Sequence, residues 1–185
     1  MTALITRLWG HQEQRLRLVA ALRTWNDALN PGTAAQREAA QMLDELWSEL
    51  ALVDKQRQAE TPPQHVDRLL DFPSHRLAVY GSLTPGKKNH HVMAGMHGSW
   101  RTAVLRGSLR NEGWGAGEGF PGFLWDGTQT AVAAQVFSSA DLPHHWSRLD
   151  EFEGEEYQRI LVPVELEDGE IEVCNVYELA KKPYH

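Results

Sequence analysis

Glycine is distributed unevenly along this chain, and that limits what the chain can fold into. Of 15 glycines, only Gly10 and Gly32 precede residue 80. Glycine weakens helix interiors and supplies the turns between strands. The first 72 residues therefore read as helix, and the remainder as a loop-rich mixture of α and β. A short attachment and a larger mixed domain are expected, divided as residues 1–72 and 73–185.

Within the first part, Leu18, Leu22, Trp25 and Leu29 recur at helical spacing and form one apolar stripe. Asn30-Pro31-Gly32 is expected to stop that helix. Thr33 and Gln36 are placed as a capping box for the next one, whose stripe is Leu43, Leu46, Trp47 and Leu50. The pair predicts an antiparallel helical hairpin. Residues 55–65 carry Pro62-Pro63 without apolar period and read as a linker, with one short helical turn over 66–70.

Beyond residue 76 the apolar run Leu77-Ala78-Val79-Tyr80 ends at Gly81, as a buried strand does. Strands are also expected over 100–109 and 130–137. Residues 157–166 and 171–179 flank Glu167-Asp168-Gly169-Glu170, and Asp-Gly is a strong hairpin signal. Leu142, Trp146, Leu149 and Phe152 carry helical spacing between those strands.

Composition narrows the function classes. The chain has 185 residues, a net charge of −7 and one cysteine. An internal disulfide and a thiolate-rich zinc site are excluded. The acidic balance argues against phosphate-backbone binding, so no nucleic-acid partner is expected. No run is long and apolar enough for a membrane span or a secretion signal, so a soluble, cytoplasmic protein is expected.

Four segments are candidates for chemistry. Tyr80-Gly81-Ser82-Leu83 leads a strand into a turn whose backbone N–H groups can form an anion nest, and Gly81 admits a positive φ or a close ligand. Five carboxylates fall between Asp150 and Glu156, at the negative end of a helix closed by Gly154. Their mutual repulsion is expected to raise a carboxyl pKa toward that of a general base. The histidines, including His90-His91 and His144-His145, lack ligand spacing, so no metal is expected. Gly113-Trp114-Gly115-Ala116-Gly117-Glu118-Gly119-Phe120-Pro121-Gly122 lacks the marks of a nucleotide loop and reads as a substrate-facing loop or a connector. Cys174 reads as structural.

Three marks in order then carry a family resemblance. Tyr80-Gly81-Ser82-Leu83 is followed by Pro85-Gly86 and Asn89-His90. Gly119-Phe120-Pro121-Gly122 follows, and then Leu149-Asp150-Glu151-Phe152-Glu153-Gly154 with Tyr157-Gln158-Arg159. Over residues 77–179 this resembles the γ-glutamylcyclotransferase-like superfamily, in particular its AIG2-like branch. The resemblance implies an α+β fold: a small mixed β-barrel with flanking helices, here preceded by the helical hairpin. It implies a cofactor-independent enzyme that cyclises γ-glutamyl groups to 5-oxoproline and releases an amine. Glu153 corresponds to its acid/base, the Tyr80, Gly81, Ser82 and Leu83 loop to its substrate-binding backbone, and Tyr157 is placed at the same cavity. The partner implied is a small γ-glutamyl-type substrate. Ala134 and Gln135 depart from the Gly-Glu usual in relatives, which bears on substrate preference. The hairpin lies outside the family core; a lid, a homodimer surface or a partner-docking surface are the roles open to it. A non-catalytic binding protein of the same fold, or an interaction protein docking through Trp9, Trp25 and Trp47, are the alternative readings.

Overall fold

A computed structural model describes residues 2–27, 33–49 and 61–180. Four helices come first: α1 (Thr2–Trp9), α2 (Gln12–Asn26), α3 (Ala34–Glu49) and α4 (Pro62–Leu69). The expected α2–α3 pair is present, and Leu18, Leu22, Leu43, Leu46 and Trp47 are buried as their spacing requires. Two features go beyond a hairpin. The chain breaks at Gly10-His11, leaving α1 as a separate helix that buries Ile5 and Leu8. Helix α4 begins inside the segment read as a linker. Its two prolines occupy the first turn, where no N–H is needed, and the Gln64 side chain accepts from the Thr61 amide at 3.1 Å. The expected stop at residues 30–32, Leu29, Leu50 and linker residues 55–60 lie outside the described residues.

The strands are β1 (Arg76–Val79), β2 (Ser99–Arg106), β3 (Ser108–Arg110), β4 (Gly122–Leu124), β5 (Ala131–Ser138), β6 (Tyr157–Leu166) and β7 (Ile171–Leu179). Five close into a barrel in the order β1-β5-β2-β6-β7. All neighbours are antiparallel except β1 and β7, whose parallel pairing closes it. The barrel is narrow, and small side chains fit it: Ala78, Ala103 and Ala134 share its interior with Val136, Val162, Cys174 and Val176. Phe123 is fully buried against them. Strands β3 and β4 form a separate two-stranded ribbon.

Helix α5 (Leu142–Glu153) packs Leu142 and Leu149 against Leu77, Val79, Phe137 and Tyr177 on the barrel's outer face. The N-terminal helices cover a different outer face, sharing one apolar cluster with Leu161, Ile171 and Val173. Strand β7 is consequently buried along its whole length. Asn26 bonds both backbone groups of Leu161, donating to its O and accepting from its N, each at 2.8 Å. Thr6 accepts from the Ile171 amide at 2.9 Å. Among the described residues, no helix is long and apolar enough to cross a membrane.

Candidate active site

One cavity collects residues from four distant segments. Its floor is the end of β1 and the turn after it, Tyr80 to Leu83. Trp114, Gly115, Phe120 and Pro121 form one wall, and Glu153, Tyr157 and Tyr177 the other. All six residues singled out from the sequence as site candidates therefore meet in one place.

The turn is held from behind. Asn89 donates from its backbone to Ser82 O and from its side chain to Ser82 Oγ, both at 3.0 Å. His90 Nδ1 is bonded to Leu83 O at 2.9 Å. These contacts leave one side of the turn to the cavity. Among the described residues, the amide N–H groups of Gly81, Ser82 and Leu83 meet no acceptor. An unpaired run of amides is costly unless water or a ligand satisfies it, and it suits an anion. Gly81 does not have the positive φ its sequence position allowed. A Cβ there would lie 3.8 Å from Phe120 Cβ, so glycine leaves room rather than relieving strain.

Glu153 is the last residue of α5, and Gly154 ends the helix at φ 69° and ψ −170°. Trp114 Nε1 donates to Glu153 O at 3.0 Å and fixes that helix end. The Glu153 carboxyl meets no hydrogen-bond donor among the described residues. Burial pushes its pKa up from 4.5 to about 7. The expected cause was repulsion within the acidic run, and the structure corrects it. Glu151, Glu155 and Glu156 are exposed, where water screens them. Asp150 is engaged elsewhere: Arg159 Nε and Nη2 donate to its two oxygens at 2.8 and 3.1 Å, and Tyr177 at 2.6 Å.

Three tyrosines surround the carboxyl. Tyr80 donates to Tyr177 O at 2.9 Å and accepts from the Phe123 amide at 3.1 Å. Burial raises the pKa of Tyr80 and of Tyr177. Burial and then Glu153 raise that of Tyr157, against a lowering by the Gly115 amide. All three remain neutral phenols at ordinary pH. Gly113 is required by its neighbour. It has φ 84°, and a Cβ there would overlap the Tyr157 hydroxyl.

Trp114, Phe120 and Pro121 belong to the Gly-rich segment read as a substrate-facing loop or a connector, and they stand in the cavity wall; Tyr177 carried no mark in the sequence. The Gly-rich segment is a short 3-10 turn over Trp114–Glu118, and Lys88 pairs with Glu118 to join it to the turn after β1. The aromatic residues between the glycines were the available signal. Cys174 faces the barrel interior, and burial raises its pKa, away from thiolate chemistry. Among the described residues, no group of three or more His, Cys, Asp and Glu is arranged to hold a metal ion.

Comparison with known proteins adds the following. No curated protein sequence matches the chain. YkqA from Bacillus subtilis is similar at 27% identity, over 57% of this chain and 35% of its own, with a TM-score of 0.45. The chain thus spans about a third of YkqA. An AIG2-like protein from Mus musculus is similar at 25% identity, over 60% of this chain and 85% of its own, with a TM-score of 0.47. An Arabidopsis thaliana protein is similar at 24% identity, over 60% and 71%, with a TM-score of 0.46. The family model described as gamma-glutamyl cyclotransferase, AIG2-like, matches residues 77–185, well over half of the chain and every residue of the cavity, and the protein belongs to that family.

Proposed function

We propose that the protein is a cofactor-independent γ-glutamyl cyclotransferase, converting a γ-glutamyl amide or peptide to 5-oxoproline and a free amine. The observation that carries this reading is the Glu153 carboxyl. Among the described residues it has no hydrogen-bond partner, burial pushes its pKa up to about 7, and it shares a cavity with three backbone amides that meet no acceptor there. In this reading residues 73–185 carry the chemistry and residues 1–72 are an extension of it.

The reaction needs two proton transfers and one new bond. Glu153 takes a proton from the substrate α-ammonium. The freed amine attacks the side-chain carbonyl carbon, and the carbonyl oxygen becomes an oxyanion. The amides of Gly81, Ser82 and Leu83 receive that charge, or the substrate carboxylate, by preorganised hydrogen bonds. Glu153 then gives that proton to the departing nitrogen as its C–N bond breaks, and the attacking nitrogen, on becoming the lactam N–H, releases a second proton that Glu153 passes to the freed amine, which leaves as an ammonium. Two protons pass in all from the α-nitrogen to the leaving nitrogen, and no water, oxidant or reductant is consumed. Nucleophile and electrophile belong to one molecule, so holding the folded-back conformer lowers the barrier by several kcal/mol. A base with a pKa near the working pH is the efficient choice for both transfers. That also favours catalysis over simple ammonium binding, which would be served by a fully ionised carboxylate.

The test is product formation. Wild-type protein incubated with a panel of γ-glutamyl dipeptides and amines should yield 5-oxoproline, detected by mass spectrometry, and Glu153→Gln should not. A panel left intact by folded wild-type protein would remove the reading.

A further inference from the structure

A second cavity adjoins the first, and the N-terminal helices build one side of it. Its volume is about 720 Å³, against about 40 Å³ beside Glu153. Trp25 of α2 and Pro63 and Gln64 of α4 face Trp146 and Asp150 of α5 and Arg159 of β6 across it. Tyr157 and Tyr177 line both cavities. Asp150 and Glu153 stand three residues apart on α5, one in each.

The wall opposite the N-terminal helices presents paired groups. Arg159 is bonded to both oxygens of Asp150 and lies over the Trp146 ring, 4.3 Å from its centroid. The indole N–H of Trp146 donates to Ser74 O at 3.1 Å. Charges paired in this way offer little attraction to an ionic ligand. Asp67 also lines the cavity, its carboxylate held by the Ser74 amide at 2.8 Å and hydroxyl at 2.7 Å, and indole faces and amide side chains complete the lining. They match an extended chain of amides and small side chains, gripped by stacking and hydrogen bonds.

We propose that this cavity binds the amine half of the substrate, and that this half is a peptide-length chain rather than a small amine. The proposal rests on the cyclotransferase reading above. In that reading the γ-glutamyl head sits beside Glu153, so anything attached to its amide must continue outward. Tyr157 and Tyr177 are the shared wall over which it passes into the larger space. Residues outside the family-matched segment thereby select substrates by length, a task that the barrel does not perform alone. The extension acts as a specificity element, and the chemistry stays with Glu153.

The experiment compares γ-glutamyl methylamide with γ-glutamyl-trialanine amide, using the full chain. In the wild type, kcat/KM for the long substrate is expected to exceed that for the short one by about tenfold, mainly through KM. Pro63→Trp, which fills the cavity from the exposed first turn of α4, is expected to bring that ratio close to one. Trp25→Ala removes an indole from the same cavity and is expected to lower the ratio as well; thermal melts establish that each variant is folded. Equal kcat/KM for the two substrates in the wild type, or a ratio unchanged in a folded variant, overturns the proposal and means that the amine half projects into solvent. Failure of both substrates to yield 5-oxoproline overturns the cyclotransferase reading instead, and the proposal falls with it.

Discussion

The hydroxyl of Tyr177 donates to Asp150 Oδ1 at 2.6 Å, one helical turn before Glu153. This contact, with the Arg159 pair, keeps the Asp150 carboxylate occupied. Glu153, on the same helix, meets no such partner among the described residues, and burial pushes its pKa up to about 7. Two acids three residues apart are thus driven to different tasks by their surroundings. Tyr177→Phe should lower stability by about 1 kcal/mol, the worth of one hydrogen bond to a partly exposed carboxylate. Urea denaturation measures it, and the midpoint of Glu153 should move little.

Replacing Glu153 should separate activity from stability. Glu153→Gln is expected to reduce 5-oxoproline formation by about 10²–10⁴-fold, the usual contribution of a general acid/base. Its effect on stability has a definite sign. The folded pKa of about 7 lies above the ordinary glutamate value of 4.5, so the folded state binds the proton more tightly. Stability is therefore greatest below the unfolded value and falls as pH rises through the folded one. Glutamine removes that loss. The variant should be more stable than wild type above neutrality, by on the order of 2–3 kcal/mol, and nearly equal to it in acid.

Gly113→Ala should disturb the site from outside it. The new methyl group would overlap the Tyr157 hydroxyl, at a backbone φ of 84° that L side chains rarely adopt. A backbone at φ 84° and ψ 163° is nearly confined to glycine and alone costs another residue about 1–3 kcal/mol. A lower melting temperature and a raised KM are expected. Tyr157→Phe in the same chain should restore part of both, because it removes the overlapping oxygen.

Asn26 is the main polar tie between the N-terminal helices and the barrel. Asn26→Ala removes two hydrogen bonds and strands the amide and carbonyl of Leu161. A loss of about 2–3 kcal/mol is expected. Hydrogen exchange at the Leu161 amide should rise more than exchange at Val162, which faces the barrel interior.

Local patterning made much of this architecture readable. The β6–β7 hairpin follows its Asp-Gly turn, with Gly169 at φ 81°, and both strands run over the expected residues. Helix α5 follows its apolar spacing and ends at Gly154 as its glycine requires. What escaped was set by contacts distant in sequence. Asn26 and Leu161 are 135 residues apart, and no periodicity joins them. Tyr177 lies in a strand buried on both faces, where alternation gives no hint of which side chain reaches the site. The Pro62-Pro63 pair hid the Thr61–Gln64 cap, although both signals were present. The raised carboxyl pKa expected in the acidic run is found at Glu153, but from a different cause. Its members are neighbours in sequence but point to different environments, and the one drawn under the Trp114 loop is raised by loss of water, not by the others' charge.

The most direct measurement is a ¹³C NMR titration of the Glu153 side-chain carboxyl in the full chain. A midpoint near 7 is expected, displaced well above the exposed glutamates of the same run. A midpoint in the ordinary carboxylate range, near 4.5, would contradict Glu153 as the proton-transfer group and leave it an ammonium-binding carboxylate.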